Sequence, residues 1–450
     1  MPGHKMGKGI PPELLEDLAA LDVTEIPGTD NLHYPEGVID EAQMLAAKAF
    51  GADESFFLVN GSTCGIHAMI MAVCRPGDKL IVARDCHRSA ITGMMLAGVD
   101  PVFIKPGFNP VFGIPTAIDP VELRMLLEAN PHAAGVLITR PNYYGICANI
   151  REIAEIVHSA GMLLMVDEAH GAHLRFNPAL PACAMEGGAD ICVQSAHKTL
   201  PAFTQGAYLH VKSGFVDRER LGYFLRALQT SSPSYIILSM LDIAREIMER
   251  YGRELLQELL AGIRCLKGDV SREWGFKFLG KDSNAGWEFD ETRLTINTAA
   301  CGLSGYDAGK LLRLKYNIQV EMADLNNIVC IATVADGVES LHMLRQGLDG
   351  INPGLKGKQL LTDILPNAFD IPARKIRLRN IPDTKGEKVT IDRAAGRVCR
   401  GMIVPYPPGI PLVCPGEIIT REIAEYIYSI INAGGTVHGI ENNLWLDVIE

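Results

Sequence analysis

The chain has 450 residues, more than the roughly 250–300 that one hydrophobic core usually serves, so we expect at least two structural domains. We place a large domain over residues 1–290 and a smaller one over 291–450. The 53 acidic residues outnumber the 42 basic ones, and the formal net charge is −11 at pH 7. Because no basic stripe is present, a nucleic-acid partner is not expected.

Cysteine usage and hydropathy bear on the cellular compartment. The 11 cysteines are an odd number without a Cys-x-x-Cys pair, which argues against a disulfide framework and a zinc ribbon. No apolar run reaches the length of a membrane span, and the first residues lack the apolar core of a signal peptide. We therefore expect a cytoplasmic protein without a membrane partner.

Helical patterns alternate with short β-rich runs from about residue 40 to residue 215. This alternation predicts an α/β fold in which a mostly parallel sheet lies between helices. The predicted strands cover residues 79–83, 101–104, 135–139, 162–166, 191–195 and 206–211.

The pattern changes in the second half of the chain. A long helix is predicted over 234–267, followed by strands at 293–296 and 328–332 around a helix at 306–315. These elements are typical of a small α+β domain. The last hundred residues are rich in turn signals, notably the proline-rich segment 405–411, and end in a predicted helix over 418–433.

Lys198 and Asp167 are the most informative pair of residues. Lys198, within His197-Lys198-Thr199, could condense with an aldehyde if burial kept its amine neutral. Asp167 ends an apolar strand, at the sheet edge where α/β ligands bind, and a carboxylate there could face a pyridine nitrogen. Each residue alone is more often an ordinary surface residue. Together they predict a site for pyridoxal phosphate (PLP).

A phosphate cradle is predicted where Asn60-Gly61-Ser62-Thr63-Cys64-Gly65 opens a helical stretch over 66–74. Amide groups, the Ser62 and Thr63 hydroxyls and the positive end of the helix dipole would face an anion there. The alternative interpretation is an ordinary Ser/Thr helix cap. His87 follows the strand at 79–83 and could lie flat over a cofactor ring, although a lone loop histidine is more often a surface residue.

Three more polar residues lie near these motifs. Ser195 and His197 flank the lysine and could reach the same phosphate from the other side. His170 and His173 form a His-x-x-His pair, but no third ligand follows at a recognisable spacing. We therefore predict no metal, and a structural or cofactor-adjacent role for these histidines.

The chain resembles the bacterial ornithine/lysine/arginine decarboxylases, PLP enzymes of fold type I, the aspartate-aminotransferase fold. This α/β fold implies a large domain with a mostly parallel, seven-stranded sheet between helices and a smaller α+β C-terminal domain. It is closer to their short biosynthetic branch, which lacks the receiver-like N-terminal domain of the long members, and members usually carry further residues before the Pro-Gly-His-Lys motif. The motifs that carry the resemblance are Pro2–Lys5, Asp30–His33, Asp167–Gly171, Ser195–Pro201, Thr230–Tyr235 and Pro405–Glu417.

The resemblance implies a role for each site residue. Lys198 would form the internal aldimine, Asp167 would pair with the pyridinium and His87 would stack on the ring. A threonine at the position of Thr230 reaches the phosphate of the neighbouring subunit in this family, so a homodimer with active sites at its interface is expected, and higher assembly stays open. Glu321 resembles the glutamate near the distal cationic end of the substrate, although a solvated strand-end glutamate is an equal alternative. The remaining cofactor-binding candidates are Gly61, Ser62, Thr63, Ala169, His170, Ser195 and His197.

The resemblance further implies decarboxylation of a basic amino acid in polyamine biosynthesis, through a Lys198 aldimine and a quinonoid intermediate. Arginine or lysine is favoured over ornithine, and the products would be agmatine, cadaverine or putrescine. Lys198 or His197 would return the proton to Cα. One alternative is an aminotransferase or other PLP lyase, with Arg293 or an arginine within 373–379 on the substrate carboxylate. Another is a non-catalytic regulatory homologue.

Overall fold

A seven-stranded sheet forms the centre of the computed structural model, which describes residues 1–16, 18–273, 276–281, 286–351, 370–407, 409–442 and 444–450. Among the described strands of this sheet, only Ala207–Val211 runs in the direction opposite to the others. The predicted, mostly parallel α/β sheet is confirmed. Its spatial order is Glu54–Leu58, Ala207–Val211, Ile191–Ser195, Leu163–Asp167, Gly135–Thr139, Lys79–Ala83 and Asp100–Ile104.

Helices cover both faces of the sheet, which explains why its strands are nearly continuous apolar runs. Successive residues of one strand enter different cores: Leu80 and Val82 pack on one face, whereas Ile81 packs on the other. All five residues of Ile191–Ser195 are buried. The longer helices of this part are Val38–Phe50, Gly61–Val73, Arg88–Ala97, Pro120–Ala129, Ile150–Ser159, Arg218–Leu228 and Tyr235–Glu273.

The second half of the chain forms smaller sheets. A four-stranded antiparallel sheet has the order Lys277–Phe278, Arg293–Asn297, Asn327–Ile331 and Met322–Ala323, and is accompanied by the helices Gly305–Tyr316 and Val338–Ile351. A three-stranded sheet follows, made of Gly386–Thr390, Trp445–Ile449 and Ile440–Glu441, beside the helix Arg421–Asn432. The remaining described strands form pairs, some of which include strands from the first half of the chain. These pairs are Val404–Tyr406 with Thr436–His438, Pro106–Asn109 with Ile114–Ile118, and Ile146–Ala148 with Trp287–Phe289.

Short helical turns complete the description, and none of the described helices is both long and apolar enough to cross a membrane. The division at residues 290 and 291 remains a prediction. The short turns are Lys5–Gly7, Pro12–Glu16, Leu174–Phe176, Ala184–Gly187, Ala196–Thr199, Ala299–Cys301, Leu378–Asp383 and Ile391–Ala394.

A buried ion pair joins the C-terminal part to the central sheet. Arg84, which directly follows Lys79–Ala83, places Nη2 3.1 Å from Oε2 of Glu417, and both side chains are almost fully buried. The same carboxylate accepts a hydrogen bond from the Cys414 amide at 2.7 Å and lies 3.4 Å from Arg374. Because a buried charge is costly without its partner, these residues fix the proline-rich segment against the sheet.

Candidate active site

Four parallel strands that are neighbours in the sheet end at one edge. His87 follows Lys79–Ala83, Tyr143 follows Gly135–Thr139, Asp167 ends Leu163–Asp167, and Lys198 follows Ile191–Ser195. This is the carboxyl edge, where ligands of α/β sheets bind.

An open cavity of about 440 Å³ lies at this edge. Among the predicted site residues, it is lined by Gly61, Ser62, Thr63, His87, His170, His197, Lys198 and Glu321. Its remaining lining residues are Asn60, Arg88, Tyr143, Thr204, Gln205, Arg293, Met322, Tyr406 and Pro407.

Lys198 lies in the short helix Ala196–Thr199, immediately after a buried strand. Its Nζ atom is 3.1 Å from Nε2 of His170. Burial lowers the pKa of the Lys198 amine, although the carboxylates of Asp167 and Glu321 act in the opposite direction. The neutral amine that a condensation with an aldehyde requires is therefore more accessible here than in a free lysine.

Asp167 is buried at the end of its strand, with one oxygen accepting a hydrogen bond from the Ala169 amide at 3.1 Å. Burial raises the pKa of the Asp167 carboxyl, and the Lys198 charge opposes that rise. A buried carboxyl with so few donors is suited to a ligand that brings an N–H group. Ala169 contributes to this arrangement through its backbone.

The predicted cradle is formed by the first turn of Gly61–Val73. The Gly61 amide donates to the Gln205 carbonyl at 2.9 Å. The preceding Asn60 makes no side-chain cap, so the amides that follow Gly61 keep their capacity to bind an anion. The Ser62 hydroxyl accepts a hydrogen bond from the Ser195 hydroxyl at 2.8 Å. Gly61 has φ of +75°, and an added Cβ would meet nothing within 4 Å, which leaves open space in front of the turn.

Two histidines of the cavity are held in their neutral forms. Nδ1 of His87 accepts from the Ser89 amide at 3.3 Å, and burial, aided by the Lys198 charge, lowers the pKa of His87 to about 3. Nδ1 of His197 donates to the Gly206 carbonyl at 3.0 Å, and burial lowers the pKa of His197 to about 4. Nε2 of His197 is thus the nitrogen left for a ligand.

Thr230 and Glu321 are both exposed, as is Thr63 of the cradle. Thr230 does not line the cavity, but its amide donates to Oδ1 of Asn60 at 3.1 Å and its carbonyl accepts from His33 at 2.8 Å. Its backbone is therefore tied to the cradle while its side chain faces outward. Glu321 lies in the cavity wall.

Several residues that the sequence offered as alternative ligands contact other side chains instead of the cavity. Arg374 contacts Glu417, Arg377 lies 3.4 Å from Asp100, and no arginine within 373–379 is part of the cavity wall. His173 contacts Asp290 and Thr292 instead of the cavity. No group of three or more His, Cys, Asp or Glu residues within the described ranges is arranged to hold a metal ion.

Tyr143 and the contact of Arg293 with His170 are not among the features predicted from the sequence. The Tyr143 ring centroid lies 4.8 Å from that of His170, and Nη2 of Arg293 lies 2.6 Å from Nδ1 of the same histidine. Tyr143 could have been found, since it follows a predicted parallel strand at the carboxyl edge. The Arg293 contact joins residues 123 positions apart and has no local sequence signal.

The amino-terminal segment packs behind the Lys198 turn. The Gly3 amide donates to the His197 carbonyl at 3.1 Å, and a Cβ at Gly3 would clash with that oxygen and with the Leu200 carbonyl oxygen. Lys5 forms an ion pair with Asp336 at 2.8 Å. The segment therefore joins the lysine turn to the loop after Asn327–Ile331.

The donor set fits PLP. The half-buried lysine with its lowered amine pKa matches the aldehyde of that cofactor, and the buried carboxyl matches the ring nitrogen. The neutral imidazole of His87 matches the ring face, and the helix start with two hydroxyls and no side-chain cap matches the phosphate.

Comparison with known proteins agrees with this chemistry. Residues 1–292 match the Orn/Lys/Arg decarboxylase major domain, and residues 375–444 match the C-terminal domain of the same family. An arginine decarboxylase of Bacillus subtilis (strain 168) is 37% identical over 453 residues, which cover 98% of this chain and 92% of that protein. The lysine decarboxylase of Pseudomonas aeruginosa is 24% identical, covering 89% and 68%.

A solved structure gives the fold. The Francisella novicida lysine decarboxylase superposes with a TM-score of 0.83 at 20% identity, covering all of this chain and 78% of that one. It shares PLP fold type I, as predicted. The chain thus belongs to the Orn/Lys/Arg decarboxylase family and is a PLP-dependent amino-acid decarboxylase.

Proposed function

We propose that this enzyme decarboxylates free arginine to agmatine, with lysine and ornithine as the alternative substrates. The observation that carries the proposal is the position of the half-buried Lys198 in the cavity wall, close enough to the buried Asp167 for each charge to act on the pKa of the other group. Arginine ranks first because the 37% identical relative from Bacillus subtilis is an arginine decarboxylase.

The residues that would hold PLP follow from the geometry. Lys198 would bind the aldehyde carbon, Asp167 would face the ring nitrogen and His87 would cover one ring face, with Ala169 and His170 beside the ring. The phosphate would lie against Gly61, Ser62, Thr63, Ser195 and His197. When bound, PLP supplies an electron sink for the bond between Cα and the carboxylate.

The protein supplies charge and proton positions. The buried Asp167 carboxylate would face the ring nitrogen and would keep a proton on it through an ion pair strengthened by burial. Lys198 Nζ and His197 Nε2 are the two candidates for returning a proton to Cα after carbon dioxide leaves. Both atoms face the cavity side of the lysine turn, and Nδ1 of His197 is already committed to Gly206.

Glu321 is the proposed partner of the distal cationic group. An exposed carboxylate in the cavity wall can form a bidentate pair with a guanidinium and a single contact with an ammonium. This pairing favours arginine over the shorter ornithine.

We further propose a homodimer with its active sites at the interface, in the cytoplasm. The exposed Thr230 side chain next to the cradle residue Asn60 supports this arrangement, since it could reach the phosphate held by a second subunit.

The test is a product screen by mass spectrometry, using the purified protein with PLP and separate arginine, lysine and ornithine. Agmatine from arginine, formed faster than cadaverine or putrescine from the other substrates, supports the proposal. Keto-acid products would indicate an aminotransferase instead. Bound PLP with no product from any of the three amino acids would indicate the regulatory homologue.

A further inference from the structure

Arg293 and His170 form a chain of contacts that ends at the catalytic Lys198. Nη2 of Arg293 lies 2.6 Å from Nδ1 of His170, and Nε2 of His170 lies 3.1 Å from Nζ of Lys198. His170 is 3% exposed and Arg293 is 0% exposed, so water does not compete for the contact between these two side chains. Both ring nitrogens of His170 therefore face a nitrogen of another side chain.

The donor capacity of each group restricts where the protons lie. A guanidinium donates hydrogen bonds and accepts none, so Nδ1 of His170 must be the acceptor for Arg293. A neutral imidazole carries one N–H, which then lies on Nε2 and points to Lys198. An ammonium group has no lone pair, so Lys198 must be the neutral amine to accept this bond.

The two other proton arrangements are unfavourable. If a charged Lys198 donated to Nε2, the His170 proton would lie on Nδ1 and face an Arg293 N–H group across 2.6 Å. If His170 were charged, the imidazolium would be buried between two cationic side chains. Burial, together with the charge of Arg293, holds the pKa of His170 well below its usual range, in agreement with the neutral ring.

Burial of Arg293 has a cost that its packing does not explain. Its Nε and Nη1 atoms are buried and have no hydrogen-bond partner among the described residues. An apolar side chain would avoid this loss. A functional reason is needed for a fixed positive charge at this position.

We propose, on the basis of the proposed function, that Arg293 is a positioning residue that fixes the His170 proton on Nε2 and so keeps Lys198 a neutral nucleophile. The other charged groups around Lys198 do not perform this role of Arg293. Asp167 and Glu321 favour the charged lysine, whereas Arg293 opposes it. The other titratable neighbours are His87, His170 and His197.

The test measures how fast PLP becomes covalently bound to the full-length, cofactor-free protein as a function of pH. The amine nitrogen attacks the aldehyde carbon, a C–N bond forms and the aldehyde oxygen leaves as water, and only the neutral amine reacts. Reduction with a hydride followed by peptide mass spectrometry restricts the signal to Lys198. The pH midpoint should lie below the value of about 10.4 for free lysine.

Arg293→Met should raise this midpoint by about one pH unit or more, which slows binding about tenfold near neutral pH. Arg293→Lys keeps a cationic donor and should return the midpoint towards the wild-type value. A folded Arg293→Met protein with an unchanged midpoint would overturn the inference. Absence of any Lys198 adduct in the wild type would instead overturn the proposed function.

A second measurement needs no variant. Nitrogen-15 NMR of the cofactor-free wild type distinguishes the two neutral tautomers of His170. The Nε2–H form is expected. The Nδ1–H form, or a charged ring near neutral pH, would contradict the proposed role of Arg293 even if Arg293→Met fails to fold.

Discussion

The Ser195 hydroxyl donates to the Ser62 hydroxyl at 2.8 Å and thereby links two segments far apart in sequence. Ser195 ends the strand before the lysine turn, and Ser62 lies in the first turn of Gly61–Val73. A cofactor held at one end by Lys198 and at the other by the helix start needs a fixed distance between these elements. The serine pair sets that distance.

Ser62→Ala should therefore weaken PLP binding. Loss of one hydrogen bond to a charged phosphate, together with the link to Ser195, should cost about 1.5 kcal/mol, or roughly tenfold in Kd. The measurement is a PLP titration of the cofactor-free protein. Ser429→Ala is the matched control, since that hydroxyl bonds only to the Glu425 carbonyl on an exposed helix. A Kd within twofold of wild type would contradict the proposed cradle.

Lys198→Ala should abolish decarboxylation while PLP still binds without a covalent bond, because the phosphate and ring contacts remain. Product formation by mass spectrometry and PLP content by absorbance report the two effects separately. Lys212→Ala is a suitable control. Lys212 follows the strand Ala207–Val211 at the sheet edge opposite to that of Lys198, and its Nζ donates to the Met185 carbonyl at 3.0 Å. Substantial turnover by a variant preparation free of wild-type protein would exclude Lys198 as the catalytic lysine.

Asp167→Asn keeps the shape of the side chain and removes its charge. We expect kcat to fall by more than about tenfold, equivalent to 1.4 kcal/mol, because the ring nitrogen would lose the carboxylate that keeps it protonated. The yield of folded protein should fall much less. Steady-state kinetics with a saturating substrate tests this expectation, and a kcat within tenfold of wild type would mean that another group performs this role.

Glu417→Gln should destabilise the fold rather than the chemistry. It leaves Arg84 buried without its charged partner, and loss of one member of a buried pair typically costs about 3–5 kcal/mol. Thermal and urea unfolding measure the loss. Glu425→Gln is the control, since its pair with Arg421 is exposed and should contribute less than about 1 kcal/mol. Equal effects of the two substitutions would contradict the structural role of Glu417.

Asp290 should make stability depend on pH in the acid range. Burial favours its neutral form, but the charge and hydrogen bond of His173, with smaller contributions from Arg293 and Thr292, lower the pKa of Asp290 to about 2. Because this value is below the ordinary one, the stabilisation is present above about pH 4 and is lost as the pH falls towards 2.

The substitution Asp290→Asn tests the predicted direction of this pH dependence of stability. The variant should be less stable than wild type by about 2 kcal/mol near pH 6, and the difference should shrink towards zero near pH 2. Urea unfolding at a series of pH values measures it. A difference that stays constant over this range would show that hydrogen bonding, and not charge, carries the contribution.

The sequence predicts the central strands well because each is determined by the residues of its own segment. The structure has the predicted bounds for Lys79–Ala83, Gly135–Thr139 and Ile191–Ser195. These are uninterrupted apolar runs, buried on both faces and bounded by turns or polar residues. The helix predicted from Ile66 begins earlier, at Gly61, since glycine, serine and threonine are weak helix formers that are nevertheless favourable at a helix start.

Other features depend on contacts between distant segments. Strands Gly386–Thr390 and Trp445–Ile449 are partly exposed and pair with each other across a long stretch of chain, so they lack an apolar run that would reveal them. The arginine in Arg293–Asn297 could be suspected of ligand binding from its charge. Its contact with His170 arises only from the packing of the four-stranded sheet against the central one.

The hydrogen bond from Gly3 to His197 makes the amino terminus part of the lysine turn. An affinity tag or fluorescent label attached ahead of Met1 would lie a few residues from that contact, and trimming the first residues would remove it. Labels for purification or imaging are therefore better attached after Glu450, which follows Trp445–Ile449 and is exposed.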